Sequence, residues 1–162
     1  MPRCKKLKAL RLTDSDGGVN NEILQILTKI DLEKLQLLSV NFESLDKVLF
    51  ANVISKTKAV HLFAPKNLEQ DNVKMIMKMI PGSCIKELLL DQVKFSRVAS
   101  RTVAKAINSL EIFSVVNNHD EQQITKTFKE MSKKTNLKKM VLLNTHLLKN
   151  VPTTHKSSLH GP

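Results

Sequence analysis

One arrangement of apolar positions runs along almost the whole chain: apolar-x-x-apolar-x-apolar. It occurs at Leu7, Leu10, Leu12 and at Leu32, Leu35, Leu37, then at Thr57, Val60, Leu62 with a weakened first position. It returns at Ile85, Leu88, Leu90, at Leu110, Phe113, Val115 and at Leu137, Met140, Leu142. The central members are 25, 25, 28, 25 and 27 residues apart. Two apolar residues two positions apart share one face of a short strand, and the residue between them points to the other. Six occurrences at so narrow a spacing indicate an internal repeat.

Each strand pattern is followed by apolar residues at helical spacing. They are Val19, Ile23, Ile26, Leu27, Ile30, then Phe42, Leu45, Val48, Leu49, then Val73, Ile76, Met77, Ile80. Val98, Val103, Ala106, Ile107 and finally Ile124, Phe128, Met131 continue the series. Steps of three and four give one apolar stripe per helix. Asp120 with Gln123 reads as a capping box, and Ser44 and Asp71 as N-caps. Each unit is therefore strand, turn and helix, and none can bury its stripe alone. Stacked side by side, the strands make a parallel sheet with the helices on one side. A doubly wound open sheet fits less well, because the units are short and alike and no glycine-rich phosphate loop follows a strand.

The Leu-x-x-Leu-x-Leu units resemble those of leucine-rich-repeat proteins. The resemblance implies a solenoid, or horseshoe, of about six repeats with a concave parallel sheet and convex helices. It covers residues 5–148, and residues 149–162 read as a disordered tail of Pro, Thr, Ser, His and Gly without period. The length of the units is similar to that of the intracellular, helix-containing classes, found in ribonuclease-inhibitor-like proteins, NOD-like receptors and F-box adaptors. Cys4 and Cys84, each just ahead of a strand pattern, faintly echo the cysteine-containing class. The family expects Asn or Cys three residues after the last strand leucine. Ser15, Val40, Pro65, Val93, Asn118 and Thr145 stand there, so only Asn118 conforms. Irregular turns of this kind are more similar to NOD-like-receptor arms than to regular ribonuclease-inhibitor repeats. With the first repeat starting near Met1 and no polar capping helix ahead of it, the chain reads as part of a longer protein.

Composition narrows the function classes. The 26 basic residues exceed the 15 acidic ones, giving +11, which favours acidic partners. Trp and Tyr are absent, which disfavours single-stranded nucleic acid, where bases stack on aromatic rings. Two cysteines form neither a disulfide framework nor a metal quartet. No secretory h-region, Asn-x-Ser/Thr sequon or membrane-length apolar run occurs. The expected location is the cytoplasm, with the nucleus as the alternative.

In the resembling family the outward strand residues line the binding face. Here that face comprises Lys8, Ala9, Arg11, then Glu33, Lys34, Gln36, then Lys58, Ala59, His61. Lys86, Glu87, Leu89, then Glu111, Ile112, Ser114, then Lys138, Lys139, Val141 complete it. The partner-binding candidates are Arg11, Lys34, Gln36, Lys58, His61, Leu89, Lys138 and Lys139. The residues after each motif include Leu38, Phe63, Val116 and Leu143, which are interface anchors if exposed and core residues if they turn inward. A lysine cluster at Lys129, Lys133, Lys134, Lys138 and Lys139 suits either a helix C-terminus or a phosphate-rich ligand.

Nothing in the pattern supplies catalytic chemistry. His61, His119, His146, His155 and His160 lack metal-ligand spacing, and no nucleophile elbow or P-loop occurs. No cofactor or metal is expected. The reading is a non-enzymatic protein-interaction scaffold, the ligand-recognition arm of a larger intracellular protein of the innate-immune NOD-like-receptor kind. The alternatives are an F-box-type substrate adaptor in ubiquitin ligation and a basic module for RNA or phosphoinositide. The expected partner is a protein with an acidic or mixed apolar and acidic surface, ahead of nucleic acid or anionic lipid.

Overall fold

The computed structural model describes residues 7–14, 18–131 and 134–143. The ends of the array assigned to 5–148, the tail at 149–162, Cys4, Ser15, Lys133, Thr145 and the three C-terminal histidines lie outside the described residues. All six strand patterns form strands: β1 (Ala9–Thr13), β2 (Lys34–Leu38), β3 (Ala59–Phe63), β4 (Glu87–Asp91), β5 (Ile112–Val116) and β6 (Lys139–Leu143). They build one parallel sheet in chain order. Between them run α1 (Asn21–Leu27), α2 (Lys47–Ser55), α3 (Gln70–Met79), α4 (Ser100–Ser109) and α5 (Glu121–Glu130), with a 3-10 turn at Ile80–Gly82 after α3. The chain is thus α/β, with a six-stranded parallel sheet alternating with helices. Among the described residues no helix is long and apolar enough to cross a membrane.

Register follows from the leucines. Leu10, Leu35, Val60, Leu88, Phe113 and Met140 align in one row, and Leu12, Leu37, Leu62, Leu90, Val115 and Leu142 in a second. From β2 to β6 both rows are buried, whereas Leu10 and Leu12 of β1 are half-buried. A slip of one residue would turn every one of these side chains to the other face. The helices cover the rows with Leu24 and Leu27, with Phe50, Val53 and Ile54, with Val73, Ile76 and Met77, with Val103, Ala106 and Ile107, and with Ile124 and Phe128. Thr57, the weak first position of its repeat, is also buried, and its hydroxyl donates to the Val53 carbonyl at 3.0 Å.

Three local expectations need correction. The second helix starts later than its apolar spacing suggests. Phe42 and Leu45 enter the core from the connection before α2, and Val48 is 69% exposed. In α1, Leu24 faces the core and Ile26 is 58% exposed. The caps also differ. Asp46, not Ser44, caps α2, accepting from Val48 and Leu49 N–H at 2.8 and 2.9 Å. Asp71 lies inside the first turn of α3, where its charge opposes the positive end of the helix dipole. Asp120 precedes α5 but accepts from the Phe95 N–H at 3.1 Å, while Gln123 donates to the Val98 carbonyl. The expected capping box is replaced by bonds to the preceding unit.

The turns after the strands share one device. Ser39, Ala64, Gln92 and Asn117, each directly after its strand, have φ of 51, 43, 58 and 50°. Their N–H groups donate to the last carbonyl of the next strand, at Phe63, Asp91, Val116 and Leu143, over 2.8–3.0 Å. The ladder therefore continues one residue beyond the strands, at the cost of a left-handed backbone without glycine.

Two substitutions test these points. Leu88→Ala should lower unfolding free energy by roughly 2–5 kcal/mol; a loss below about half a kcal/mol on denaturant titration would contradict this packing. Ala64→Gly should raise it by about 0.5–1 kcal/mol, since glycine adopts positive φ without steric penalty, and a destabilisation would show that the turn is unstrained.

Candidate functional site

The residues that point away from the helices make three rows across the sheet. At the leading edge, where the strands begin, stand Ala9, Lys34, Ala59, Glu87, Ile112 and Lys139. Arg11, Gln36, His61, Leu89, Ser114 and Val141 form the middle row. Thr13, Leu38, Phe63, Asp91, Val116 and Leu143 form the trailing row. Leu38, Phe63, Val116 and Leu143 are thus the final strand residues, half-buried on this face rather than turned into the core. Lys8, Glu33, Lys58, Lys86, Glu111 and Lys138 immediately precede the strands and extend the leading edge.

The centre of the face is a polar chain that spans three strands. The His61 ring is nearly enclosed, with 6% of its side chain exposed. Its Nε2 lies 2.6 Å from Glu87 Oε1 and its Nδ1 lies 3.2 Å from Gln36 Nε2. A carboxylate only accepts, so Nε2 carries the hydrogen; Nδ1 of the neutral ring then accepts from the Gln36 amide. Phe63 meets the ring edge-on, with centroids 6.0 Å apart. Burial pushes the His61 pKa below 6.5, the Glu87 hydrogen bond opposes it, and the Lys34 charge lowers it further. The sequence places His61 on this face but as an accessible side chain. Its burial arises because Gln36 is its direct neighbour on β2 and Glu87 is diagonal to it on β4. An acid one unit on and two residues earlier in register is the signal that could have revealed the pair.

The other acids of the face are also engaged. Lys8 pairs with Glu33 at 3.9 Å and Lys138 with Glu111 at 2.7 Å. That second contact holds the Glu111 carboxyl below its ordinary range. Asn117 donates to Asp91 at 2.8 Å. The lysine cluster is spread over different elements: Lys129 in the last turn of α5, Lys134 in the connection, Lys138 just ahead of β6 and Lys139 opening it. Apart from this face, His119, Asp120, Glu121, Gln123 and Lys126 line a cleft of about 420 Å³ at the start of α5. Among the described residues no three His, Cys, Asp or Glu side chains are placed to hold a metal ion. Cys84 is exposed and unpaired with another cysteine.

The His61 environment has a measurable consequence. Its folded pKa lies below the unfolded value, so between the two the unfolded chain binds more protons and stability rises with pH. The contribution is full above about 6.5 and is lost as pH falls through the folded value. An NMR titration should place the His61 midpoint below 6.5, and His61→Gln should lessen the fall in Tm between about pH 7 and pH 5. A midpoint raised above 6.5 would mean that the Glu87 attraction outweighs burial.

No family model, curated protein or solved structure matches the chain.

Proposed function

We propose that the chain is a leucine-rich-repeat array whose open sheet face recognises another protein. The observation that carries the reading is the half-exposed apolar row Leu38, Phe63, Val116 and Leu143, with Leu89 beside it, on strands held in strict register. Apolar side chains on a rigid sheet, bordered by charge, have the make-up of interface anchors within a polar rim. The repeat reading is supported by the coincidence of every Leu-x-x-Leu-x-Leu segment with a strand. It is also supported by Asn118, the residue that conforms to the family pattern. Its amide donates to the Val93 carbonyl of the preceding turn at 2.7 Å and its oxygen accepts from the Asp120 N–H at 2.7 Å. Where Pro65 occupies the same place, the N–H of the next residue, Lys66, donates to the Val40 carbonyl of the preceding turn at 2.9 Å, so the backbone replaces the missing side chain.

On this reading the chain is a non-enzymatic recognition arm of a longer intracellular protein, of the kind carried by NOD-like receptors of innate immunity. An F-box-type adaptor presents its repeats in the same way and differs in what precedes them. The apolar row favours a protein partner over RNA or phosphoinositide, since polyanions are held chiefly by cations.

Two experiments test the two halves of the proposal. Removing residues 59–86 deletes one unit and joins β2 to β4. A repeat array should remain helical and unfold cooperatively at a lower Tm, because each unit needs only a neighbour; collapse to an unfolded chain would contradict the array. Photo-crosslinkers placed at Phe63 and Leu89, with Lys105 on α4 as control, should give protease-sensitive adducts from the sheet positions only. Nuclease-sensitive or lipid adducts, or equal labelling from Lys105, would overturn the protein-recognition reading.

A further inference from the structure

Charges on the sheet face are unevenly satisfied. Every acid on it has a partner within the fold: Glu33 with Lys8, Glu87 with His61, Asp91 with Asn117 and Glu111 with Lys138. Among the described residues, Arg11, Lys34, Lys58, Lys86 and Lys139 have no carboxylate within 4.0 Å. Four of the five lie at the leading edge, and Arg11 lies in the middle row of β1. The apolar side chains concentrate at the opposite, trailing edge.

The spacing of these two edges restricts what can satisfy both. Lys34 and Leu38 are four residues apart on β2, about 13 Å at a strand rise of roughly 3.3 Å. An extended segment crossing the strands would alternate its side chains up and down and could not sort acids to one row and apolar groups to the other. A helix about 10–12 Å across can do so, with acids along one flank and an apolar stripe along the other. Six strands roughly 4.8 Å apart span about 24 Å, the length of roughly 16 helical residues.

Building on the reading of this face as a binding surface, we propose that it takes an acidic amphipathic helix laid across the strands. The partner's carboxylates meet Lys34, Lys58, Lys86 and Lys139, and its apolar stripe rests on Leu38, Phe63, Val116 and Leu143. The side chain of Leu89 contacts the stripe between them. Gln36 offers a polar contact beneath the middle of the helix. Asp91 interrupts the apolar row, so the helix should carry no acid opposite β4 on its apolar flank.

A displayed library of helix-forming 18-residue peptides, selected against the whole chain, tests this directly. The expected winners combine Asp or Glu at one flank with Leu, Ile, Met or Phe at helical spacing on the other. Their affinity, read by fluorescence anisotropy, should fall on the order of tenfold for Lys58→Glu/Lys86→Glu; neither lysine has a described carboxylate within 4.0 Å, although the Lys86 charge acts on Glu111. It should fall at least about as much for Phe63→Asp. Winners without acidic enrichment that still lose affinity in Phe63→Asp would overturn the acidic helix and leave the binding face standing. Winners that bind Phe63→Asp and Leu89→Asp as well as the parent chain would overturn both. An absence of enrichment above an unrelated control protein would also overturn the helix as ligand, while the crosslinking experiment independently decides the face.

Discussion

The parallel hydrogen-bond ladder between consecutive units is the constraint on which the rest depends. One strand and one short helix have too little apolar surface to hold each other in water. Alignment of Leu35, Val60, Leu88 and Phe113 across neighbouring strands supplies it, because each then packs on the next as well as on a helix. Full burial of such a side chain is worth about 1.5–3 kcal/mol, and the alignment is available in one register only. The left-handed turns at Ser39, Ala64, Gln92 and Asn117 follow from the same requirement, since they let the ladder run one bond further.

Much of this was legible in the residues. Strand positions and the direction of each strand side chain follow from a period of two that the chain repeats six times. The third helix was equally plain, because Val73, Ile76, Met77 and Ile80 all reach the core. The second was misplaced because a connection can imitate a helix. Phe42 and Leu45 are spaced as on a helical face yet pack from the loop, Phe42 against Phe50 with ring centroids 5.1 Å apart. In the site, the rows were legible and the enclosure of His61 was not. It depends on side chains from two other strands, which a single segment does not reveal.

Several polar side chains at strand ends and helix starts bond to a neighbouring unit rather than to their own helix. Asp14 accepts from the Asn41 N–H, Asp120 from that of Phe95 and the Gln70 oxygen from that of Arg97, each across 25–27 residues. Gln70 also donates to the Lys94 carbonyl. These bonds tie one unit's turn to another's. They explain why local capping rules succeed at Asn20 and Asp46 but fail at Asp120.

The alternation along each strand separates two kinds of information. Inward positions hold nearly all the packing; outward positions, mostly half-buried or exposed, hold little. Substitutions on the outer rows can therefore change the chemical character of the open face without eroding the scaffold, so that face can drift freely while the fold stays fixed. Buried Ser114 departs from this, and so, with more consequence, does His61. Enclosed between Gln36 and Glu87, it belongs to both layers, and a change there would alter the open face and the stability together.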